Sequence, residues 1–238
     1  MFRQSQATIL LTRPLLQSQR FATEIGGAMI SPLMEPEFLT PAIPRQTYSA
    51  IILTSETGAE AARRISASGF PLPPRAYCVG NRTATAATAA GFHTLSAHGN
   101  ADDLLALITQ DAPQENLLFI RAADITGNLQ ERLFSAGIGI VSAVAYRQNP
   151  IPLSPQATIA LQQTAPIILP IFSPRSAHLL AQELHRIAAT APIYLAALSP
   201  AVANAFAWPT AQTQIAAQPN SAAMIKAIAL LRHTGIGS

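Results

Sequence analysis

The chain has 238 residues, of which 49% are hydrophobic and 11% charged, so it can bury a large core and is not disordered as a whole. Its net charge is a modest +3, and no basic run or aromatic-interleaved basic patch indicates a nucleic-acid partner. No apolar run approaches the ~20 residues of a membrane-spanning helix, and no secretory hydrophobic segment opens the chain. We therefore expect a cytoplasmic protein without a membrane partner.

Strand-like apolar runs alternate with amphipathic helical runs along the sequence. In chain order the predicted strands are Ala7–Leu11, Ala50–Leu53, Ala76–Val79, Leu117–Ile120, Ile167–Phe172 and Ile193–Leu198. The predicted helices are Pro14–Ile25, Gly58–Ala67, Thr83–Ala90, Asp102–Thr109, Gly127–Ala136, Ser176–Ala188, Pro200–Phe206 and Ala222–Arg232. This alternation predicts an α/β protein whose parallel sheets carry helices on both faces.

The middle of the chain recurs, degenerately, near its end. Residues 51–55 are matched by 169–173, residues 79–84 by 198–203, and residues 97–100 by 217–220, at offsets of 118, 119 and 120. A repeat of this length indicates two similar domains rather than a solenoid of short units. The later copy lacks one Arg-bearing strand–helix unit, which the N-terminal segment around Arg13 supplies. Two similar domains also predict a cleft between them.

Proline-dense stretches at 32–44 and 150–155 interrupt the alternation. We therefore predict a discontinuous first domain, 1–33 plus 150–238, and an inserted second domain, 42–142. The connectors, 34–41 and 143–149, look extended and are expected to pair as a two-stranded β-ladder that serves as a hinge. The predicted fold class is thus α/β, with two similar parallel-sheet domains of the flavodoxin- or Rossmann-like kind.

Familiar catalytic and cofactor motifs are absent from the sequence. No phosphate-binding loop or G-x-G-x-x-G follows a strand, and no H-E-x-x-H, C-x-x-C or Cys/His cluster has metal-ligand spacing. Asp102 and Asp103 open a helix, where the helix dipole favours acids without any catalytic role. We expect neither a cofactor nor a metal.

The candidate binding residues lie at the junctions where strands pass into helices. Ligands of open parallel sheets bind outside the carboxyl ends of the strands, where helix N-termini offer backbone N–H groups to anions. Each Ser or Thr alone could equally be an ordinary helix cap. Together the junctions predict a flexible, polyanionic organic substrate held largely by main chain. They contain Thr12, Arg13, Ser55, Gly80, Arg121, Ser173, Arg175 and Ser199.

Tyr146 lies in the second connector, after the strand-like run 138–145. Two interpretations stay open for it. The side chain either packs in the hinge or provides a phenol that donates a hydrogen bond to a ligand or a leaving group.

These segments, in this order, resemble the uroporphyrinogen-III synthases over essentially the whole chain. The matching residues are Leu-Thr-Arg-Pro at 11–14, Leu-Thr-Ser at 53–55, Val-Gly-Asn-x-Thr-Ala at 79–84, Val-Ala-Tyr-Arg at 144–147 and Phe-Ser-Pro at 172–174. The resemblance implies two α/β domains joined by a two-stranded ladder. It also implies a lyase of tetrapyrrole biosynthesis that cyclises hydroxymethylbilane, inverts ring D and releases water, without a cofactor.

By the same resemblance, Tyr146 would give a proton to the departing hydroxyl, while Ser55, Thr83 and Ser173 would line the substrate site. The enzyme would be a monomer that receives its substrate from hydroxymethylbilane synthase. The chain departs from the family pattern at 199–202, where Gly and a Thr pair are common, and at 122–123. A non-catalytic two-lobed polycarboxylate-binding protein and an inactive regulatory relative remain as alternatives.

Overall fold

The structure is a computed structural model that describes residues 7–124 and 127–234. The outer ends of the predicted first domain, 1–6 and 235–238, lie outside the described residues. The chain divides into two compact units. Unit 1 comprises Met1–Glu35 and Pro150–Ser238, and unit 2 comprises Pro36–Asn149.

Strands and helices alternate along the chain. The strands are β1 (Thr8–Leu11), β2 (Met29–Ile30), β3 (Met34–Phe38), β4 (Ala50–Leu53), β5 (Arg75–Cys78), β6 (His93–Ser96), β7 (Leu117–Ala122), β8 (Ile140–Pro150), β9 (Ile167–Ile171), β10 (Ile193–Ala197) and β11 (Gln212–Ile215). The helices are α1 (Leu15–Glu24), α2 (Glu56–Ala67), α3 (Asn81–Ala89), α4 (Ala101–Asp111), α5 (Leu129–Ser135), α6 (Pro155–Leu161), α7 (Pro174–Arg186), α8 (Pro200–Asn204) and α9 (Ser221–Thr234).

The two sheets share one strand pattern. Unit 1 has the order β11-β10-β9-β1-β2, and unit 2 has the order β6-β5-β4-β7-β8, extended by β3. Neighbouring strands from β11 to β2 and from β6 to β8 run parallel. The N-terminal β1 therefore lies beside β9 as β7 lies beside β4, which is the place that the sequence repeat predicted for it.

Each sheet is covered by apolar side chains on both faces, because neighbouring residues of a strand point to opposite sides. In β9, Ile168 packs into one core cluster of unit 1 and Leu169 into the other, and both are fully buried. In β4, Ile51 and Ile52 divide in the same way between the two clusters of unit 2. These central strands read as continuous apolar runs for that reason.

The elements that the sequence did not reveal have weak apolar signals. Edge strands β6 and β11 carry the polar sequences His-Thr-Leu-Ser and Gln-Thr-Gln-Ile, β2 has two residues, and α6 buries only Ala157 and Leu161. All the predicted strands and helices are present, with ends shifted by a few residues. The parallel α/β class is confirmed.

The two predicted connectors are strand segments that lie side by side. β3 is the neighbour of β8 in the unit 2 sheet. Glu37 of β3 accepts hydrogen bonds from Arg147 and Asn149 of β8, with the Arg147 Nε at 3.0 Å and the Asn149 Nδ2 at 2.6 Å. Whether this pairing works as a hinge stays a prediction.

Candidate functional site

In each unit the parallel strands end at one edge of the sheet, and the predicted site residues lie along that edge. We call these edges the unit 1 rim and the unit 2 rim. The unit 1 rim contains Thr12, Arg13, Ser173, Arg175 and Ser199. The unit 2 rim contains Ser55, Gly80, Thr83, Arg121 and Tyr146.

Tyr146 and Ser55 form a hydrogen-bonded pair on the unit 2 rim. Tyr146 lies in β8 opposite Ala122 of β7, and β7 separates β8 from β4 in the sheet. The Tyr146 side chain reaches past β7, so that its hydroxyl oxygen lies 2.7 Å from the Ser55 Oγ. Ser55 is also the N-cap of α2, where its Oγ accepts the Gly58 N–H at 2.9 Å. The serine hydroxyl is thereby fixed from two sides.

The phenol of Tyr146 is a protonated donor at neutral pH. The residue is 5% exposed, and its ring lies 6.5 Å from that of Phe38. Burial raises the pKa of Tyr146 because the phenolate would lose its hydration, and the hydrogen bond with Ser55 offsets only part of that effect. Its environment therefore suits a proton donor rather than a resting base.

Gly80 and Thr83 open α3 beside that pair. Gly80 is the N-cap, with no side chain to occupy the first N–H groups of the helix. A Cβ at Gly80 would only touch the Gly99 carbonyl oxygen at 3.7 Å, an ordinary contact, so packing does not require glycine there. Thr83 is buried in the first turn. This junction offers main-chain N–H groups, as predicted for anion binding.

The guanidinium of Arg121 turns back onto its own strand end. Its Nη1 donates to the carbonyl oxygens of Ala122 at 2.9 Å and Ala123 at 3.4 Å. Its Nε is buried without a hydrogen-bond partner among the described residues. One terminal nitrogen of Arg121 thus stabilises the end of β7, where the pairing with β8 is irregular.

Arg13, on the unit 1 rim, is held over an aromatic ring. Its guanidinium carbon lies 3.9 Å from the centre of the Phe172 ring, and its Nη2 donates to the Gln17 Oε1 at 3.0 Å. Phe172 in turn meets the buried Phe21 edge to face at 5.1 Å. The stack fixes the direction of the charge. Sequence reasoning did not identify Phe172, because its place beside Arg13 depends on the pairing of β1 with β9.

The remaining unit 1 residues lie at helix starts. Ser173 caps α7, with its Oγ 3.1 Å from the Ser176 N and 2.9 Å from the Ser176 Oγ. Ser199 caps α8 more loosely, at 3.4 Å from the Val202 N. Arg175 is exposed in the first turn of α7. Thr12 is buried, and its carbonyl accepts the Leu33 N–H at 3.2 Å.

Within residues 7–124 and 127–234, no group of three His, Cys, Asp or Glu residues is placed to hold a metal ion. None of the helices in these ranges has the length and apolar character of a membrane span. Cys78 is buried, and burial raises the pKa of its thiol to about 11. The thiol is therefore neutral at physiological pH and a poor nucleophile.

Comparison with known proteins identifies one family. The family model described as HEM4, uroporphyrinogen-III synthase HemD, matches residues 18–226. The crystal structure of uroporphyrinogen-III synthetase from Helicobacter pylori 26695 superposes with a TM-score of 0.66 at 16% identity, over 94% of this chain and 99% of that one. A mutant uroporphyrinogen III synthase from the extremely thermophilic bacterium Thermus thermophilus gives 0.48 at 15% identity, over 94% and 98% of the chains. No curated protein sequence matches.

Proposed function

Because this chain belongs to the uroporphyrinogen-III synthase family, we propose that its two rims bind hydroxymethylbilane and that Tyr146 donates the proton that releases water. The family reaction closes this linear tetrapyrrole with inversion of ring D, giving uroporphyrinogen III for tetrapyrrole biosynthesis. The observation that carries the residue assignment is the 2.7 Å contact between the Tyr146 hydroxyl and the Ser55 Oγ at the carboxyl end of β4.

The proposed acid step needs only a protonated phenol. The pyrrole nitrogen pushes electrons toward the hydroxymethyl carbon, the C–O bond breaks, and the Tyr146 proton converts the departing hydroxide into water. The Ser55 hydroxyl, anchored by the Gly58 N–H, then donates to the phenolate oxygen. Restoring the aromatic pyrrole after ring closure releases a proton that returns to Tyr146. One water is lost, and the enzyme is regenerated.

Positioning carries the rest of the proposed mechanism. The inverted product requires ring D to be attacked at its substituted carbon, through a spiro intermediate, so the chain must be held in one geometry while the electrophile exists. The charges of Arg13 and Arg175 and the N–H groups that follow Gly80 can bind the carboxylates of the substrate. We expect the affinity for substrate to fall as ionic strength rises, and an affinity independent of salt would contradict this binding mode.

We also propose that the enzyme works as a cytoplasmic monomer to which hydroxymethylbilane synthase hands its product. The support is chemical, since free hydroxymethylbilane cyclises without inversion, so a short transfer time preserves it for this enzyme. Crosslinking of the two enzymes during turnover, with an unrelated protein as the control, tests the handover.

The reaction is tested by supplying hydroxymethylbilane from its own synthase and separating the oxidised porphyrin isomers by chromatography. Isomer III in excess over the spontaneous isomer I is the expected result. Isomer I alone from a folded protein would overturn the proposal. If that folded protein still bound hydroxymethylbilane, the result would favour the regulatory or binding alternative.

A further inference from the structure

A cavity of about 650 Å³ opens in unit 2, between the chain that follows β3 and the last turn of α2. Its apolar walls are formed by Phe38, Ile43, Ile65 and Phe70. The volume falls in the range of sites for small organic ligands, roughly 300–1,000 Å³. The cavity is distinct from the unit 2 rim, because it lies at the end of α2 opposite Ser55, about 18 Å along the helix.

The charged side chains that line this cavity are all arginines. Arg45 and Arg64 contribute to the wall, and no Asp or Glu does. Arg45 forms neither a hydrogen bond nor an ion pair with the residues that the structure describes. A guanidinium with unused donors beside an apolar wall can bind a planar carboxylate or sulfonate.

Among the described residues, Arg64 pairs with one carboxylate, that of Glu60, which also pairs with Arg63. The Arg64 Nε donates to the Glu60 Oε1 at 2.7 Å, and Glu60 also accepts two hydrogen bonds from Arg63, each 2.8 Å long. These bonds, from Arg63 foremost, lower the pKa of Glu60 to about 2, so Glu60 is a full anion at neutral pH. The two arginines of the cavity wall thus have between them one carboxylate, which Arg64 shares with Arg63, and the charge on the wall is positive.

The carbonyl end of α2 does not cancel that charge. The Arg64 and Ile65 carbonyls accept the Ser68 N–H, and Ile65 accepts the Phe70 N–H as well. The Ser66 carbonyl accepts the Gly69 N–H. Because three of the last four carbonyls, those of residues 64–66, accept hydrogen bonds, the negative end of the helix dipole is partly neutralised at the cavity.

We infer that this cavity binds an aromatic organic anion, with its ring on the apolar wall beside Phe70 and its carboxylate or sulfonate on Arg45 and Arg64. The apolar wall would pack against the aromatic part of the ligand, and the guanidinium N–H groups without a partner among the described residues would bind its negative group. A neutral molecule of the same shape would fill the cavity without bonding the arginines. We therefore expect the anion to bind more tightly than its neutral analogue.

Occupancy has a consequence for turnover, which rests on the proposed function. The Arg64 guanidinium lies 4.0 Å from the centre of the Phe38 ring, and that ring is 6.5 Å from the ring of Tyr146. Phe38 thus contributes to the cavity wall and contacts the proposed proton donor. A bound anion is expected to change kcat by displacing Phe38, whereas binding itself does not depend on the role of Tyr146.

The test uses 8-anilinonaphthalene-1-sulfonate, an aromatic anion that fluoresces in apolar sites, on the full chain. N-phenyl-1-naphthylamine, which lacks the sulfonate, serves as the neutral probe. The anion should bind more tightly than the neutral probe. Arg64→Gln should weaken the anion about fivefold and leave the neutral probe unchanged. Equal affinity for both probes, or no binding of the anion, would overturn the inference.

Arg63→Gln is the matched control, since Arg63 and Arg64 bind the same Glu60 and are 51% and 53% exposed. Of these two arginines, Arg64 lines the cavity and Arg63 does not, so Arg63→Gln should leave the anion affinity within about twofold. Thr40→Trp places a large ring in the cavity from an exposed position and should abolish binding. Equal weakening by both arginine variants, or full binding by Thr40→Trp, would place the probe elsewhere and contradict the proposed site.

Discussion

The same strand–helix junction occurs in both units, but the partner of its serine differs. Ser55 and Ser173 each cap a helix through the N–H three residues later. In unit 1 that third residue is Ser176, and its own hydroxyl partners the cap. In unit 2 it is Gly58, and the hydroxyl partner is Tyr146 from a distant strand. Both copies of the repeat keep the helix cap, and in unit 2 the capping serine also bonds the hydroxyl of Tyr146, the proposed acid.

The arginine junction differs in a similar way. The register of the paired strands, continued past their last paired residues, places Phe172 beside Arg13 in unit 1 and Thr54 beside Arg121 in unit 2. The aromatic ring holds Arg13 in a stack, whereas Arg121 without such a ring bonds the carbonyls that follow it. Equivalent arginines therefore present their charge differently, and one neighbouring residue accounts for the difference.

The largest effect is expected from Tyr146→Phe, which removes the hydroxyl and keeps the ring. Since a positioned acid contributes about 10²–10⁴-fold, kcat should fall by at least about 100-fold, with substrate binding changed less than about threefold. Tyr48→Phe is the control, because Tyr48 is buried in the same core cluster and, among the residues that the structure describes, its hydroxyl bonds the Pro44 carbonyl alone. Single-turnover kinetics measure both variants, and an unchanged kcat in Tyr146→Phe would reject its role.

Gly58→Ser should make the unit 2 junction resemble that of unit 1. The new Cβ would lie 3.3 Å from the Ser55 Oγ, and the added hydroxyl would compete with Tyr146 for it. We expect kcat to fall about fivefold, the worth of one hydrogen bond, without unfolding, since unit 1 accommodates Ser176. The reciprocal Ser176→Gly should leave kcat within about twofold. A normal kcat in Gly58→Ser would show that the Ser55–Tyr146 contact does not matter.

Phe172→Leu should loosen Arg13 without removing its charge. Losing a half-exposed cation–π contact costs about 0.5–1 kcal/mol, so the KM should rise about two- to fivefold while kcat stays nearly constant. Phe134→Leu, at a side chain that is 74% exposed, is the control. A KM equal to that of the control would mean that Phe172 does not position Arg13 for the substrate.

The smallest effect concerns a partly exposed contact found in unit 2. The Tyr77 hydroxyl bonds Asp111, and Arg75 pairs with the same carboxylate at 2.8 Å; unit 1 has Ala196 in the place of Tyr77. The hydrogen bond from Tyr77, then Arg75, lowers the pKa of Asp111. A lowered carboxyl pKa stabilises the fold above the unfolded value, near pH 4, and that stability is lost as pH falls through the folded value.

Asp111→Asn should accordingly lower the unfolding temperature at pH 7, by the equivalent of at most about 1 kcal/mol, and the difference from the parent should shrink below pH 4. Thermal melts across pH 3–7 measure it. A difference that stays constant over this range would show that the ionised form of Asp111 adds no stability.

Much of the fold was predictable because burial leaves a pattern in the sequence. Strands such as β9 are buried on both faces and read as continuous apolar runs, and the repeat predicted where β1 belongs. The edge strands β6 and β11 could not be found in this way. A strand with one paired side keeps polar residues, so its composition does not differ from that of a loop.

The candidate site was predictable as a set of positions and not as a set of contacts. Ser55 and Tyr146 were both selected, but their sequence separation of 91 residues gave no sign that they touch. Phe172 was passed over as the end of an apolar strand, although it stacks on Arg13. Whether these residues bind hydroxymethylbilane stays a prediction.

The sequence by itself determined the strand–helix alternation, the internal repeat and the chemistry available at the rims, because each depends on residue type and local spacing. The tertiary structure decided which side chains meet. Strand order and register bring Tyr146 past β7 to Ser55, and they set Arg13 on Phe172. Such contacts join residues far apart in the chain, and their geometry depends on the packing of all the strands between them.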